Sequence, residues 1–219
     1  MRNYAGLCCV LFVCLSCSVS VASEKAQVVG KQIDMKPTGA HATIDTKLAT
    51  AAMRALQGEK GEAEKAALDI KAYPERYAPS VFYALAKFFF DRDEKDEALF
   101  WFYAGQLRGR YDANRCADIS ARSAINVLNE RYGSPINKYA FQDIPKLKTI
   151  IAKVVEWDEK TGYAYDHRWI NLHGMGAFVG NEPALSLPSD TWPAIAKDTR
   201  ENYYREFQKL MTLIERKGL

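Results

Sequence analysis

Apolar residues from Leu48 onwards recur mainly at intervals of three and four positions, which is the spacing of one face of an α-helix. Glycines, prolines and capping residues interrupt this pattern and mark the expected helix ends. The pattern predicts helices at 48–56, 62–72 and 119–132, helices that begin near Phe82 and Asp96, and further helices over 143–162 and 189–218. No group of alternating apolar and polar runs indicates a sheet, so the predicted fold is all-α.

Two clusters of helix-breaking residues divide the second half of the chain. Gly133-Ser134-Pro135 is expected to end the helix that begins at Ile119. An irregular loop segment is expected near 163–188, because that stretch is broken by Gly174, Gly176, Gly180, Pro183 and Pro188. The predicted architecture is therefore a set of helical hairpins, stacked as a short repeat-like array or a bundle, with one irregular segment.

The stretch from Asp96 to Asp112, DEALFWFYAGQLRGRYD, carries apolar residues on more than one side of a helix. Residues three and four apart share a face, and the lines through Phe102 and through Tyr103 are both apolar or small. A helix of this kind is buried on several sides. Charged residues bracket only about ten positions, against the roughly 20 needed to cross a bilayer. We therefore expect a packed helix, not a membrane span or a cofactor pocket.

The hairpin predicted around this helix resembles a tetratricopeptide repeat. The resemblance rests on an aromatic residue, a leucine, a small residue and an aromatic residue in the first helix, then an alanine and an aromatic residue in the second: Phe82, Leu85, Ala86, Phe89, Ala98 and Phe102. Trp101 and the closing Gly109 are also similar to the second half of a Sel-type repeat, whereas Arg110 stands in place of the terminal proline of the tetratricopeptide pattern. The resemblance covers Phe82 to Gly109 and implies a scaffold that holds another protein or peptide. An ordinary helical bundle is the alternative.

The first 22 residues have the layout of a secretory signal peptide. Arg2 precedes an apolar run within Gly6–Val21, and Ser20-Val21-Ala22 fits a cleavage site of small residues. The mature chain is expected in a bacterial periplasm, with residues 23–43 as a flexible N-terminal segment and residues 44–219 as a single α-helical domain. An uncleaved anchor, lipidation at Cys17 and full secretion are the alternatives. No second long apolar segment follows, so no membrane span is expected in the mature chain.

The balance of charged residues narrows the class of partner. The chain has 30 Lys and Arg residues against 27 Asp and Glu residues, which gives no electrostatic reason to expect nucleic acid as a partner.

Four of the five cysteines fall within the predicted signal peptide, so Cys116 is expected as a lone thiol without an internal disulfide. It lies on an apolar line with Ile119 and Val127 and is therefore expected to be buried and inert.

His167 and His173 are the most conspicuous candidates for chemistry. Their spacing of six separates them on a helix or a strand, and no cysteine or acidic cluster nearby completes a zinc site. The chain has no Gly-x-Ser-x-Gly elbow, and its glycines at 174, 176 and 180 miss the dinucleotide fingerprint by one residue. No catalytic residue, metal ligand or cofactor is predicted. The alternative is a hydrolase or metal-dependent enzyme with its site around these two histidines.

The surrounding stretch, YDHRWINLHGMGAF, is the predicted binding surface. Loops on a rigid scaffold often carry binding residues, and Trp, Tyr and Arg dominate binding hot spots. The residues expected to contact a partner are Asp166, His167, Arg168, Trp169 and His173. A structural role is the alternative, in which Trp169 and Ile170 close the end of the bundle while Asp166 pairs with Arg168.

These patterns together predict an exported, non-enzymatic helical scaffold that binds a protein or peptide. A toxin-neutralising immunity protein and an envelope assembly factor would both have these properties.

Overall fold

The computed structural model describes residues 37–179 and 184–217. Its α-helices are α1 (Lys47–Ala55), α2 (Lys60–Ala72), α3 (Pro79–Asp91), α4 (Lys95–Arg115), α5 (Ser123–Ala140), α6 (Ile144–Lys160), α7 (Gly176–Val179) and α8 (Trp192–Lys217). Short 3-10 helices lie at Gly39–Thr43, Pro74–Arg76, Ile119–Arg122, His167–His173 and Ser189–Thr191. Within the described ranges there is no strand, only an isolated bridge between Cys116 and Ser186, and the predicted all-α fold is confirmed.

The predicted signal peptide and residues 23–36 lie outside the described residues. From Gly39 the chain forms a 3-10 helix in which His41 is buried. None of the helices in the described part of the chain combines the length and the apolar character needed to cross a membrane.

Helix α4 is the central element and packs against α3, α5, α6 and α8. The reason lies in its sequence, because apolar side chains surround it on several sides. The four residues Trp101–Ala104 follow one another around the helix, and each is no more than 4% exposed. The expected burial of the aromatic stretch on more than one side is therefore confirmed.

Two glycines let neighbouring helices approach α4 closely. A Cβ atom at Gly105 would lie 3.0 Å from Cδ2 of Tyr83 on α3, and one at Gly109 would lie 2.7 Å from Cδ1 of Ile125 on α5. Larger residues at these positions would push the helices apart. The α3–α4 hairpin occupies the stretch that resembles a repeat, and its membership of a repeat family stays a prediction.

Helix α5 is longer than its sequence indicated. The expected end at Gly133-Ser134-Pro135 is wrong, because α5 continues to Ala140 with the proline inside it. Proline removes a hydrogen bond and strains the preceding turn, but Ile136 and Ala140 beyond it are buried in the core. Gly133 serves packing instead, since a Cβ atom there would lie 3.0 Å from Cζ of Phe102.

A buried arginine ties the end of α6 to α4. Arg108 is fully buried, and its Nε donates to Asp158 Oδ1 at 3.0 Å. Its two terminal nitrogens donate to the carbonyl oxygens of Thr161 and Gly162 at 2.8 and 2.9 Å, and Arg200 of α8 reaches Asp158 from the other side at 3.2 Å. These bonds fix the path of the chain as it leaves α6 towards the irregular segment.

Candidate functional site

The residues predicted to bind a partner lie on and just before the 3-10 helix His167–His173. Asp166 begins this helix, because its carboxylate accepts the backbone N–H of Arg168 at 3.0 Å and Nη2 of the same arginine at 2.7 Å. The backbone N–H of Asp45 donates to it at 2.9 Å. Burial alone would raise the pKa of Asp166, but these bonds hold it at about 2. The Asp166–Arg168 pair thus joins the 3-10 helix to the chain before α1.

Trp169 lies behind this helix and is only 4% exposed. Its indole N–H donates to Asp112 Oδ2 on α4 at 2.7 Å, and the Tyr165 hydroxyl donates to the same oxygen at 3.0 Å. Arg115 completes the set with a bond of 2.7 Å to Oδ1. Burial raises the pKa of Asp112, against the lowering effect of Arg115 and the two hydrogen bonds. The segment is therefore anchored to the central helix by a buried polar cluster.

The two histidines have different surroundings. His167 Nε2 lies 2.8 Å from Ser186 Oγ, and the imidazole meets the Trp192 ring at 4.6 Å between centroids. Burial lowers its pKa to about 4, so this ring is neutral at neutral pH. His173 is exposed and lines a groove that His167 does not reach. The structure does not bring the two imidazoles to a common partner.

The groove runs between α1, α5 and the 3-10 helix and has a volume of about 750 Å³. Three of the predicted residues, Asp166, Trp169 and His173, line it, whereas His167 and Arg168 do not. We call it the α1–α5 groove; its larger apolar lining residues are Leu48, Met53, Val127, Leu128, Tyr132, Tyr165, Trp169 and Leu172. A cavity of this size with a mainly apolar wall is typical of a binding site.

Part of the apolar lining is open to solvent. Leu48 of α1 is 40% exposed and Val127 of α5 is 60% exposed. Ile119, on the same apolar line of the sequence as Val127, is 70% exposed as well. Helix α5 instead packs inwards through Ala124 and Tyr132, and its Val127 face has no covering element in the described chain.

The charges around the groove are unbalanced. Arg76 and Arg131 line it, both are exposed, and neither forms an ion pair within the described residues. Of the two carboxylates in the lining, Asp166 is paired with Arg168, whereas Asp45 Oδ1 accepts only the neutral backbone N–H of Lys47 at 2.9 Å and keeps its charge. The α1–α5 groove therefore combines an apolar wall with a small excess of positive charge, two arginines against the one unpaired carboxylate.

Cys116 is buried, as its sequence environment predicted. It lies at the end of α4 and is 2% exposed, although Ile119 and Val127 on the same apolar line are open to solvent. Its thiol donates to Asn171 Oδ1 at 3.2 Å, and burial raises its pKa to about 11. The thiol is therefore protonated at neutral pH, which agrees with the expectation that it is unreactive.

Sequence reasoning missed the contributions of α1 and α5 to the groove. Leu48 and Val127 follow the helical period like any core residue, and Arg76 and Arg131 look like ordinary surface cations. No local signal distinguishes them, because the groove exists only where three separate elements meet.

The described residues contain no group of three or more His, Cys, Asp or Glu side chains that could hold a metal ion. Comparison of the chain with protein-family models, with curated proteins and with solved structures finds no match. The geometry of the site is therefore the basis for any functional inference.

Proposed function

We propose that the chain is an exported, non-enzymatic helical scaffold that binds a protein or peptide partner in the α1–α5 groove. One observation carries this proposal: an apolar wall that includes Leu48 and Val127 stays accessible in a cavity of about 750 Å³. Accessible apolar surface rimmed by polar groups is typical of interaction sites.

The rigidity of one wall supports a binding role. Trp169 is fixed by its bond to Asp112, and the Asp166–Arg168 pair fixes the start of the 3-10 helix. A wall that is already ordered loses little conformational entropy when a partner binds. The positive charge of Arg76 and Arg131 favours a partner that presents a carboxylate beside its apolar residues.

The biological role that we propose is neutralisation of a toxin or assembly of an envelope component. The signal-peptide pattern and the repeat-like hairpin support both roles, since each requires export and binding without catalysis. The identity of the captured partner would separate them.

The test is a pull-down with residues 23–219, tagged at the C-terminus, from the host's periplasmic and secreted fractions. Val127→Asp places a charge on the groove wall, and Leu68→Asp is the matched control, because Leu68 is 68% exposed on α2 and lies outside the groove. We expect the wild type and the control to retain one stoichiometric partner, and Val127→Asp to lose it at least about tenfold. Equal capture by both variants, or no partner at all, would contradict the proposal.

A further inference from the structure

The α1–α5 groove lies between two helices that begin at the same end of it. Helix α1 begins at the Asp166 end, because the backbone N–H of Asp45 donates to that carboxylate at 2.9 Å. Helix α5 begins there as well, since Ala124 and Trp169 belong to one buried cluster. From Ala124 the lining follows α5 to Tyr132, which is about 12 Å at 1.5 Å per residue. The groove is therefore long enough for two turns of a helix, which rise about 11 Å.

Small residues form the bottom of this groove and larger ones form its rim. Ala78 and Ala124 both line it and are each only 5% exposed, whereas Leu48 and Val127 are 40% and 60% exposed. Ala78 directly precedes α3, against which both α1 and α5 pack. The distance between two packed helices depends on the size of the side chains at their contact. A third helix could therefore approach the alanines closely while the two larger residues contact its sides.

The two long walls offer little to the main chain of an extended peptide. The backbone groups of α1 and α5 are bonded within each helix, and no asparagine or glutamine occurs among the described residues that line the groove. An extended segment would therefore place main-chain groups against Leu48 and Val127 without hydrogen-bond partners, which costs free energy. A helix bonds its own main chain internally and presents side chains instead. The lining therefore favours a helical ligand.

Charges of opposite sign lie at the two ends of the groove. Asp45 is at the end where both helices begin, and it keeps its charge. Arg131 lies seven residues after Ala124, about 10 Å further along α5. It is exposed and forms no ion pair within the described residues. A ligand with an acidic residue at the Arg131 end would match this pattern, and Arg76 in the same lining adds to the preference for an acidic ligand.

We propose that the partner bound in the α1–α5 groove presents an amphipathic α-helix of at least two turns. Its apolar side chains recur at positions i, i+3 or i+4 and i+7, and an acidic residue at one end of this stripe pairs with Arg131. This inference rests on the function proposed for the groove and adds the conformation and the charge of the segment that binds there.

The test uses Arg131→Glu, which reverses one charge at the end of the groove and leaves the apolar wall unchanged. Arg54→Glu is the matched control, because Arg54 is exposed on α1 and lies outside the groove. Val127→Asp identifies the ligands that bind in the groove. All three substitutions are at exposed positions, and circular dichroism with thermal melting establishes that the variants fold.

The probe is a phage-displayed library of random peptides of about 16 residues, which is long enough for a helix to form on the surface of the protein. Peptides are selected on wild-type residues 23–219 after depletion on Val127→Asp. We expect the enriched peptides to gain helical circular dichroism when they bind. Alanine substitution should weaken binding mainly at positions three and four apart. Proline at a central position that tolerates alanine should weaken binding at least about tenfold, because it interrupts a helix.

The charge of the ligand is tested with the same peptides. Arg131→Glu should bind them about fivefold more weakly, whereas Arg54→Glu should bind them as the wild type does. Replacement of the acidic residue of the peptide by lysine should weaken binding to the wild type and restore binding to Arg131→Glu.

Three results would overturn the inference. The first is a selection in which no enriched peptide depends on Val127; a pull-down partner that Val127→Asp still loses would then leave the function proposed for the groove standing. The second is a set of groove peptides that tolerate the central proline and gain no helical signal, which would make the ligand an extended segment. The third is equal binding by Arg131→Glu and Arg54→Glu with no effect of the lysine exchange, since the acidic residue would then have no partner in Arg131.

Discussion

The α3–α4 hairpin and the chain from Thr161 to His173 both pack against the core, but different forces hold them. In the hairpin the contacts are apolar and aromatic: the rings of Tyr83 and Phe102 meet edge to face at 5.4 Å between centroids. The segment is held by hydrogen bonds that involve a buried charged group: the Trp169 indole donates to Asp112, and Arg108 donates to the carbonyl oxygens of Thr161 and Gly162. One region is stabilised mainly by burial, the other mainly by directional bonds.

The difference explains where binding surfaces form. Apolar packing fills the space between α3 and α4 within the hairpin. A segment held by directional bonds can be fixed firmly at a few points and still leave open space between them, as in the α1–α5 groove beside Trp169. Rigid walls and an accessible cavity therefore occur together.

Arg108→Ala tests the hydrogen-bonded segment and is expected to have the largest effect on stability. Asp158 would lose one of its two arginine partners in the core, and two carbonyl oxygens would lose their donors. We expect a loss of about 3–5 kcal/mol in the free energy of unfolding, measured by urea denaturation. Arg110→Ala is the control, since its ion pair with Glu206 is largely exposed and should contribute only about 0–1 kcal/mol. Similar small losses in both variants would show that the buried bonds do not stabilise the segment.

Gly105→Leu tests the apolar side of the comparison. A Cβ atom added at this position would lie 3.0 Å from Cδ2 of Tyr83 and 3.3 Å from the carbonyl oxygen of Pro79. Overpacking should reduce the free energy of unfolding by about 1–3 kcal/mol. Gly61→Leu is the control, because nothing lies within 4 Å of a Cβ atom there and leucine favours a helix over glycine. A normal melting temperature for Gly105→Leu would contradict the close approach of α3 and α4.

The smallest expected effect is a dependence of stability on pH, which arises from the titration of His167. Its pKa is lowered from 6.5 to about 4 in the folded chain, mainly by burial. Below pH 6.5 the unfolded chain takes up a proton that the folded chain does not. The free energy of unfolding therefore decreases as the pH is lowered from 6.5 to about 4, and it is constant below that. We expect the total decrease in the free energy of unfolding to be on the order of 1 kcal/mol, because the imidazole is partly exposed and solvent screens its charge.

The measurement compares wild type and His167→Asn by urea denaturation across this pH range. The difference between their unfolding free energies isolates the histidine from other groups that titrate. A flat difference would mean that the ring is not desolvated in the folded chain.

Much of the fold could be predicted from local patterns. Helix positions followed from the three-and-four spacing, and the start of α6 followed from Asp143, which accepts the backbone N–H of Lys146 at 2.9 Å. The end of α5 could not be predicted, because Gly133 and Pro135 have the same local preferences inside a helix and at its end. Contact with Phe102 and burial of Ile136 decided the outcome.

The candidate site could be predicted only in part. The sequence singled out the stretch that contains Asp166, Trp169 and His173, which line the α1–α5 groove. It gave no indication that Leu48 and Val127 would be open to solvent beside them. Burial of an apolar residue depends on what covers it, and the covering element is set by tertiary packing.

The all-α class, the burial of the aromatic stretch in α4 and the position of the irregular segment could all be predicted from local patterns of residues. These properties depend on periodicity and on backbone preferences, which act over a few residues. Which carboxylates are buried and where the groove opens depend instead on how distant parts of the chain pack together. The partners concerned lie far apart in the chain, as Arg108 and Asp158 do at 50 residues, and nothing local encodes their meeting.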